Sequence, residues 1–310
     1  MLSRVAERAY WLARYLERAE DTARLILVRH NVILDLPKAL QPEWELLLDV
    51  LSSREEFTRR SGTASERKIL GHVFADRDNP SSILSSLTFA RENMRTSREV
   101  LPSETWERVN SLYLSVARRA NKGLPRASRH TVLNNTIHAC QQIAGMLSGS
   151  MSQDEAYHFI KLGRCLERAD MTTRIIDVAS AGLGNSTEDL DMYQSVMWVS
   201  VLQSLSAYQM YRLNVRHNVR SGDVQEFLLR NKLFPRAVMH CLLQLEDSVS
   251  YLPRGEAALK AVRSVKRKLG RTRCDELDNE ALHLFLDDIQ KGIQRIHTAI
   301  QETWFTPEQR

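Results

Sequence analysis

The stretch LARYLERAEDTARLI at residues 12–26 is written again, with changes, as LGRCLERADMTTRII at residues 162–176. Between residues 12–28 and 162–178, ten of seventeen aligned positions are identical. In both copies the apolar residues recur at three- and four-residue intervals, which is the spacing of one helix face. The sequence therefore contains one charged amphipathic helix twice.

Weaker matches between the two halves follow in the same order along the chain. They are Trp44 with Trp198, Pro80 with Pro235, and the Leu-Pro pairs at 101–102 and 252–253. Their offsets lie close to the 150 residues that separate the two motif copies, and small loop insertions account for the differences. This pattern predicts two six-helix repeats, 1–149 and 150–310, related by a pseudo-twofold axis as in a fused dimer.

The composition predicts an all-α fold, a helical bundle. Only 12 Gly and 8 Pro occur in 310 residues, and helix-period patterning runs between the prolines. The predicted helices are 2–34, 42–59, 64–74, 80–101, 103–121, 129–149, 153–181, 187–217, 222–230, 235–252, 255–269 and 275–303. We predict no strand.

Several classes of protein are disfavoured by the same sequence. There is no run of 18 apolar residues, so we predict no membrane span, and the charges near the N-terminus argue against a signal peptide. The four cysteines show no C-x-x-C spacing, which predicts reduced packing residues, no metal site and a cytoplasmic protein.

The polar face of the repeated helix holds the candidate functional residues. They are Arg14, Glu17, Arg18 and Arg24 in the first copy and Arg164, Glu167, Arg168 and Arg174 in the second. Three interpretations are open: a buried Arg–Glu network, a site for an anionic ligand or a partner, and a solvated face with i,i+4 ion pairs. Both copies use arginine and not lysine at these positions. The planar guanidinium group of arginine pairs with carboxylates through two hydrogen bonds, which favours the first two interpretations over a solvated face.

We predict that the two motif helices are neighbours near the pseudo-twofold axis. A guanidinium has five donors, so Glu17 by itself cannot satisfy both Arg14 and Arg18, and a second copy opposite would supply acceptors. Met171 stands where the first copy has Asp21, so the two copies are not equivalent at that position.

The repeated L-E-R-A-[DE] motif, the N-terminal MLSRVAERAYW and ARENMRTSREVLPSETWERVN at 90–110 resemble the bacterial alpha-E domain family, formerly a domain of unknown function. The resemblance covers essentially the whole chain and implies a single alpha-E-like domain over residues 1–310. It also implies association with a circularly permuted ATP-grasp ligase and transglutaminase-like proteins in a peptide synthesis or modification system. It carries over no catalytic residue and no cofactor.

Other chemistries find weaker support in the sequence. EAYH at 155–158 and EALH at 280–283 contain the E-x-x-H spacing of dimetal carboxylate proteins, but the two do not correspond under the duplication. There is no nucleophile elbow and no phosphate-binding glycine loop. Carboxylates flanked by arginines have lowered pKa values, which suits binding better than proton abstraction.

Two basic segments accompany a net charge of +5. The first basic segment, residues 118–129, holds five Lys/Arg in twelve residues, and the second basic segment, residues 260–273, holds seven in fourteen without an acid. Neither has interleaved aromatic residues for base stacking, so we predict no nucleic-acid partner. Each is a solvated helix end or a docking surface for an acidic protein or peptide.

Taken with the family resemblance, these observations predict a non-catalytic helical accessory or scaffold protein. The resemblance implies an ATP-grasp ligase and transglutaminase-like proteins as its partners, and the basic segments are compatible with an acidic peptide. The alternative is an enzyme of the same system that uses a Glu17/Glu167 cleft for amide-bond chemistry.

Overall fold

The computed structural model describes residues 3–37, 41, 43–181 and 189–306, and for residues 189–193 the backbone only. Over these residues the fold is helical without strands, as predicted. The α-helices, in chain order α1 to α14, are Ser3–Asp35, Leu46–Val50, Arg54–Ser61, Glu66–Phe74, Ile83–Arg95, Ser103–Ala120, Arg126–Ser150, Glu155–Ala181, Asp189–Ser204, Tyr208–Asn214, Ser221–Arg230, Val238–Tyr251, Glu256–Arg271 and Asn279–Ile300. A 3₁₀ turn at Cys274–Glu276 precedes α14 and a π-turn at Gln301–Phe305 follows it.

The chain divides into two compact units, Met1–Gly163 and Arg164–Arg310. The boundary falls inside α8, so the first nine residues of that helix pack with the first unit. No helix of the described ranges is both long and apolar enough to cross a bilayer.

Helix α1 is the centre of the first unit. It packs along α5 and α7, and its side chains are buried on nearly all sides. Ala9, Leu12, Ala19, Ala23 and Ile26 are fully inaccessible to solvent. Small alanines at these positions let neighbouring helices approach closely, and burial of this apolar surface stabilises the unit. The repeated helix is therefore a core element and not a surface helix.

Neighbouring helices pack in the same sequence order in each unit. In the first unit α4 contacts α5, α5 contacts α6 and α6 contacts α7. In the second unit α11 contacts α12, α12 contacts α13 and α13 contacts α14. Packing between consecutive helices of this kind follows from short connections between them.

Two of the predicted helices are broken in the structure. The predicted helix 42–59 is divided into α2 and α3, and the predicted helix 187–217 is divided into α9 and α10. Each break contains a serine with positive φ, Ser52 at 50° and Ser206 at 53°. After each serine the next backbone N–H, of Ser53 or Ala207, donates to a carbonyl five residues earlier, at 2.8 and 2.7 Å. Such left-handed residues end a helix without a glycine signal in the sequence.

The breaks correspond between the halves, since Ser52 and Ser206 are 154 residues apart, the offset of Trp44 and Trp198. The turns at Pro80 and Pro235 also correspond, because each is followed by a helix that begins three residues later. We propose from these matches that the chain arose by internal duplication, with repeats 1–149 and 150–310. The pseudo-twofold axis stays a prediction.

Candidate site on the repeated Glu-Arg helices

The carboxylates of the first motif copy are buried. Glu17 is 3% exposed, Glu20 2% and Asp21 1%. Arg14 is also buried, and Arg18 and Arg24 are partly buried. A solvated charged face is therefore excluded for α1, which leaves a buried network or an enclosed site. Buried charges at this depth require compensating partners.

Aromatic rings surround the arginines at the start of this motif. Arg14 donates from Nη1 to the Tyr10 hydroxyl at 3.3 Å, and its guanidinium carbon lies 5.1 Å from the centre of the Trp11 ring. The Arg18 guanidinium lies 5.6 Å from the Tyr15 ring centre. These are cation–π distances, at which a ring face stabilises a guanidinium that has lost water.

An ion pair within the helix holds the other end of the motif. Arg24 donates from Nη2 to Oε1 of Glu20 at 2.5 Å, and Gln141 of α7 donates from Nε2 to the same oxygen at 3.2 Å. The pair has the favourable i,i+4 order with the acid on the N-terminal side. Because Gln141 comes from another helix, the contact also fixes α7 against α1.

The thiol of Cys140, also on α7, lies close to the same acidic side chains. Burial raises the pKa of this thiol well above its ordinary value, and the negative charges of Glu20, Glu17 and Asp21 raise it further, in that order. A thiol with a raised pKa stays protonated and poorly nucleophilic at neutral pH. Cys140 is therefore a packing residue next to three carboxylates.

The second copy repeats the burial with different detail. Glu167 is 2% exposed, and Arg164, Arg168 and Arg174 are partly buried. Arg174 donates from Nε to Oδ2 of Asp170 at 3.0 Å, which repeats the Glu20–Arg24 pair at the 150-residue offset. Met171 is 5% exposed, so an apolar side chain is buried where the first copy buries Asp21.

The second motif is also tied to the start of α12. Thr172 donates from Oγ1 to the backbone carbonyl of Arg236 at 2.8 Å, and both residues are buried. Thr172 is one of the positions identical in both copies. This bond gives the second unit a fixed register between α8 and α12.

Residues 20 and 170 were missed as site residues in the sequence because they differ between the copies. The shared feature is an acid four residues before an arginine, which the change from Glu to Asp preserves. A comparison of charge type at i,i+4 spacing would have found both pairs.

Within the first unit, α1 crosses the beginning of α8 at very short range. A Cβ at Gly163 would lie 2.1 Å from the carbonyl oxygen of Tyr10 and 3.3 Å from the Cβ of Ala13. Ala13 and Gly163 are counterparts under the 150-residue offset. The glycine is required there because no side chain fits between the two backbones.

Neither E-x-x-H segment, as the structure describes it, is part of a group of side chains arranged to hold a metal ion. No group of three His, Cys, Asp or Glu side chains with metal-binding geometry occurs among the described residues. His283 instead pairs with Asp177 through Nδ1 at 2.7 Å, and this hydrogen bond raises the pKa of the imidazole.

The two basic segments differ in how far acids neutralise them. In the second segment four of the seven cations form ion pairs with acids that lie outside it. These are Arg263 and Lys266 with Glu246, Lys268 with Asp288, and Arg273 with Asp275 and Glu276. In the first segment Arg126 and Arg129 share a single acid, Glu66. The first segment therefore retains more positive charge per cation.

The fold and the site define an all-helical protein in which a duplicated Glu-Arg helix is buried. The chain belongs to the Alpha-E family, described as a predicted alpha-helical domain with a conserved ER motif, whose model matches residues 1–305. Glu17-Arg18 and Glu167-Arg168 are the Glu-Arg pairs inside the duplicated stretch.

Among curated proteins, the chain is similar to an uncharacterised protein of Mycobacterium bovis and one of Mycobacterium tuberculosis strain CDC 1551, each 21% identical over 322 residues. A third, from M. tuberculosis strain H37Rv, is 20% identical. These alignments cover 96% of this chain but 36% of each relative, so the chain spans about a third of their length. No solved structure matches the chain.

Proposed function

We propose that this protein is a non-catalytic helical accessory or scaffold protein of a bacterial peptide synthesis or modification system, working in the cytoplasm beside an ATP-grasp ligase and transglutaminase-like proteins. The observation that carries the proposal is the burial of the motif carboxylates, with Glu17 3% and Glu167 2% exposed. A general base or acid must reach the proton it transfers, at about 2.6–3.2 Å from the reacting group. Carboxylates enclosed in helix packing stabilise a framework instead.

The neighbours of the motif support a framework role. Glu20 joins α1 to α7 through Gln141, and Thr172 joins α8 to α12 through a backbone carbonyl. Each contact sets the position of one helix relative to another, which a rigid docking platform needs. The four free, buried cysteines support a reducing compartment.

The mycobacterial relatives support a function next to another protein region. About two thirds of each relative lies outside the matched 36%. In those proteins an Alpha-E-like region is joined to a longer polypeptide, as expected for a region that acts beside a partner. The ligase and transglutaminase-like partners themselves are proposed from the family resemblance.

The test is affinity purification of the tagged chain from its native host, followed by mass spectrometry. We expect an ATP-grasp ligase or a transglutaminase-like protein to be enriched over a control purification with an unrelated tagged helical protein. Enrichment of neither class would overturn the proposed partnership.

A second measurement separates a scaffold from an enzyme. The purified chain is incubated with ATP and glutamate-containing peptides, and amide-bond formation or cleavage is followed by mass spectrometry. We expect no turnover. Turnover that is lost in Glu167→Gln or Glu17→Gln, with an unchanged circular dichroism spectrum, would replace the scaffold by an enzyme acting through these carboxylates.

A further inference from the structure

A cationic cavity lies in the first unit, away from the repeated motif. It has a volume of about 590 Å³ and is lined by α4, the end of α6 and the start of α7. This size is within the range of small-molecule sites. The first basic segment supplies one wall of the cavity and α4 supplies the other.

The charge on the cavity lining is strongly positive. Four of the lining residues are cations, Arg67, Lys122, Arg126 and Arg129, and one is an acid, Glu66. Arg67 and Lys122 form no ion pair with any residue that the structure describes. The cavity therefore has a large excess of positive charge that internal acids do not compensate.

A carboxylate already lies between two of these cations. Glu66 accepts from Nη2 of Arg126 through Oε2 and from Nη2 of Arg129 through Oε1, each at 2.7 Å. The hydrogen bond from Arg126 is the largest effect on the pKa of Glu66 and lowers it, and Arg129 lowers it further. The protein itself thus shows that this position stabilises an anion between two guanidinium groups.

Arg129 is held rigidly in this arrangement. It is 2% exposed, contacts Nδ1 of His30 at 3.1 Å, donates to the carbonyl of Leu124 at 3.3 Å, and lies over the Trp44 ring at 5.3 Å. Arg126, in contrast, is exposed, with 66% of its side chain open to solvent. One guanidinium is therefore preorganised, whereas the other pairs with Glu66 at the surface and can exchange that carboxylate for a ligand anion.

The start of α7 adds to the same positive region. This helix has 25 residues, and its N-cap position is Pro125, which gives no side-chain cap. The helix dipole places about half a positive charge at such an end, next to Arg126 and the loop residue Lys122.

We propose that this cavity binds a small organic phosphate. Arginine forks, a lysine and a helix start converge on one space, and together they match the two negative charges and several acceptor oxygens of a phosphate group. Ala75, Ala120 and Pro125 also line the cavity and are at least partly exposed, so their apolar atoms offer contact to the organic part of the ligand. This inference stands independently of the proposed accessory function.

Calorimetric titration with ADP and with inorganic pyrophosphate tests the proposal. We expect both probes to bind, and ADP to bind more tightly because its nucleoside contacts the apolar wall. Arg126→Gln and the double substitution Arg67→Gln/Lys122→Gln alter exposed side chains, so they should leave melting unchanged. Each should lower the affinity for ADP about tenfold or more, the size of one charge-assisted hydrogen bond.

The matched control is the double substitution Arg267→Gln/Arg271→Gln, which removes two exposed charges from α13 in the second unit. We expect it to leave the affinity for ADP unchanged. If the control lost as much affinity for ADP as the cavity variants do, the binding would depend only on the net charge of the protein, and the proposed site would be refuted.

A tetraglutamate peptide separates a phosphate site from a general carboxylate site. We expect it to bind at least about tenfold more weakly than pyrophosphate. Equal or tighter binding of the peptide, or binding of neither ADP nor pyrophosphate at about 1 mM, would overturn the phosphate assignment.

Discussion

Replacement of Glu20 by glutamine tests whether the charges of the repeated helix form a buried network. Glutamine keeps the size of the side chain but removes its negative charge. Arg24, whose side chain is 12% exposed, would then lose the carboxylate 2.5 Å away. Its Nε already has no hydrogen-bond partner among the described residues, so the guanidinium would be left largely uncompensated.

The size of the effect follows from this burial. Removing one member of a buried ion pair costs about 3–5 kcal/mol. The residual exposure of Arg24 lets water reach the guanidinium, so we expect the lower end, about 3 kcal/mol. For a unit the size of Met1–Gly163, which contains Glu20, each kcal/mol corresponds to roughly 2–4 °C in Tm. Glu20→Gln should therefore lower the Tm by roughly 6–12 °C.

Urea and thermal unfolding, followed by circular dichroism, measure this change. The control is Glu92→Gln, because Glu92 pairs with Arg95 at a similar distance of 2.6 Å but both side chains are more than half exposed. We expect no measurable change in Tm for the control, since exposed pairs contribute little. The double substitution Glu20→Gln/Arg24→Met should recover part of the lost stability, because it removes the uncompensated charge. Equal melting of Glu20→Gln and Glu92→Gln would refute the buried network.

Two further predictions concern local geometry and pH. Gly163→Ala should destabilise the protein by about 1–3 kcal/mol, because the added Cβ would lie 2.1 Å from the carbonyl oxygen of Tyr10. Gly145→Ala has open space around the added Cβ and should stabilise α7 by about 0.5–1 kcal/mol. Urea unfolding of both variants measures the two changes. The hydrogen bond to Asp177 raises the pKa of His283 above the ordinary value of 6.5 for histidine. The pair therefore stabilises the fold below that pH, and its contribution is lost as the pH rises through the folded-state pKa. An NMR titration should show the His283 pKa falling toward the ordinary value in Asp177→Asn, and an unchanged pKa would contradict the pairing.

The helical class could be predicted from the sequence because it depends on local periodicity, and the repeated Glu-Arg motif is visible in the sequence itself. Apolar residues at helical spacing and ten matches in seventeen positions are visible without any tertiary contact. The breaks after α2 and α9 could not be predicted in this way. Ser52 and Ser206 have positive φ without being glycine, and packing of the flanking helices outweighs the local preference of serine.

The candidate phosphate cavity depends on contacts that are distant in sequence. Glu66 lies about 60 residues before Arg126 and Arg129. Nothing in the charge pattern around Glu66 or in the first basic segment indicates that these side chains form ion pairs. In the sequence the first basic segment resembled the second. Only the folded chain distinguishes the two, because acids of neighbouring helices neutralise much of the second segment and a single acid serves the first.

The sequence by itself determined that this protein is helical and that one Glu-Arg helix is present twice. Tertiary structure decided that the charged face of this helix is buried. A helical wheel places Glu17 and Arg24 on a polar face, which in a surface helix would contact water. In the fold α1 is surrounded by α5 and α7, so the same face must be satisfied by protein groups such as Gln141. Periodicity records which residues share a face, whereas only packing determines what that face meets.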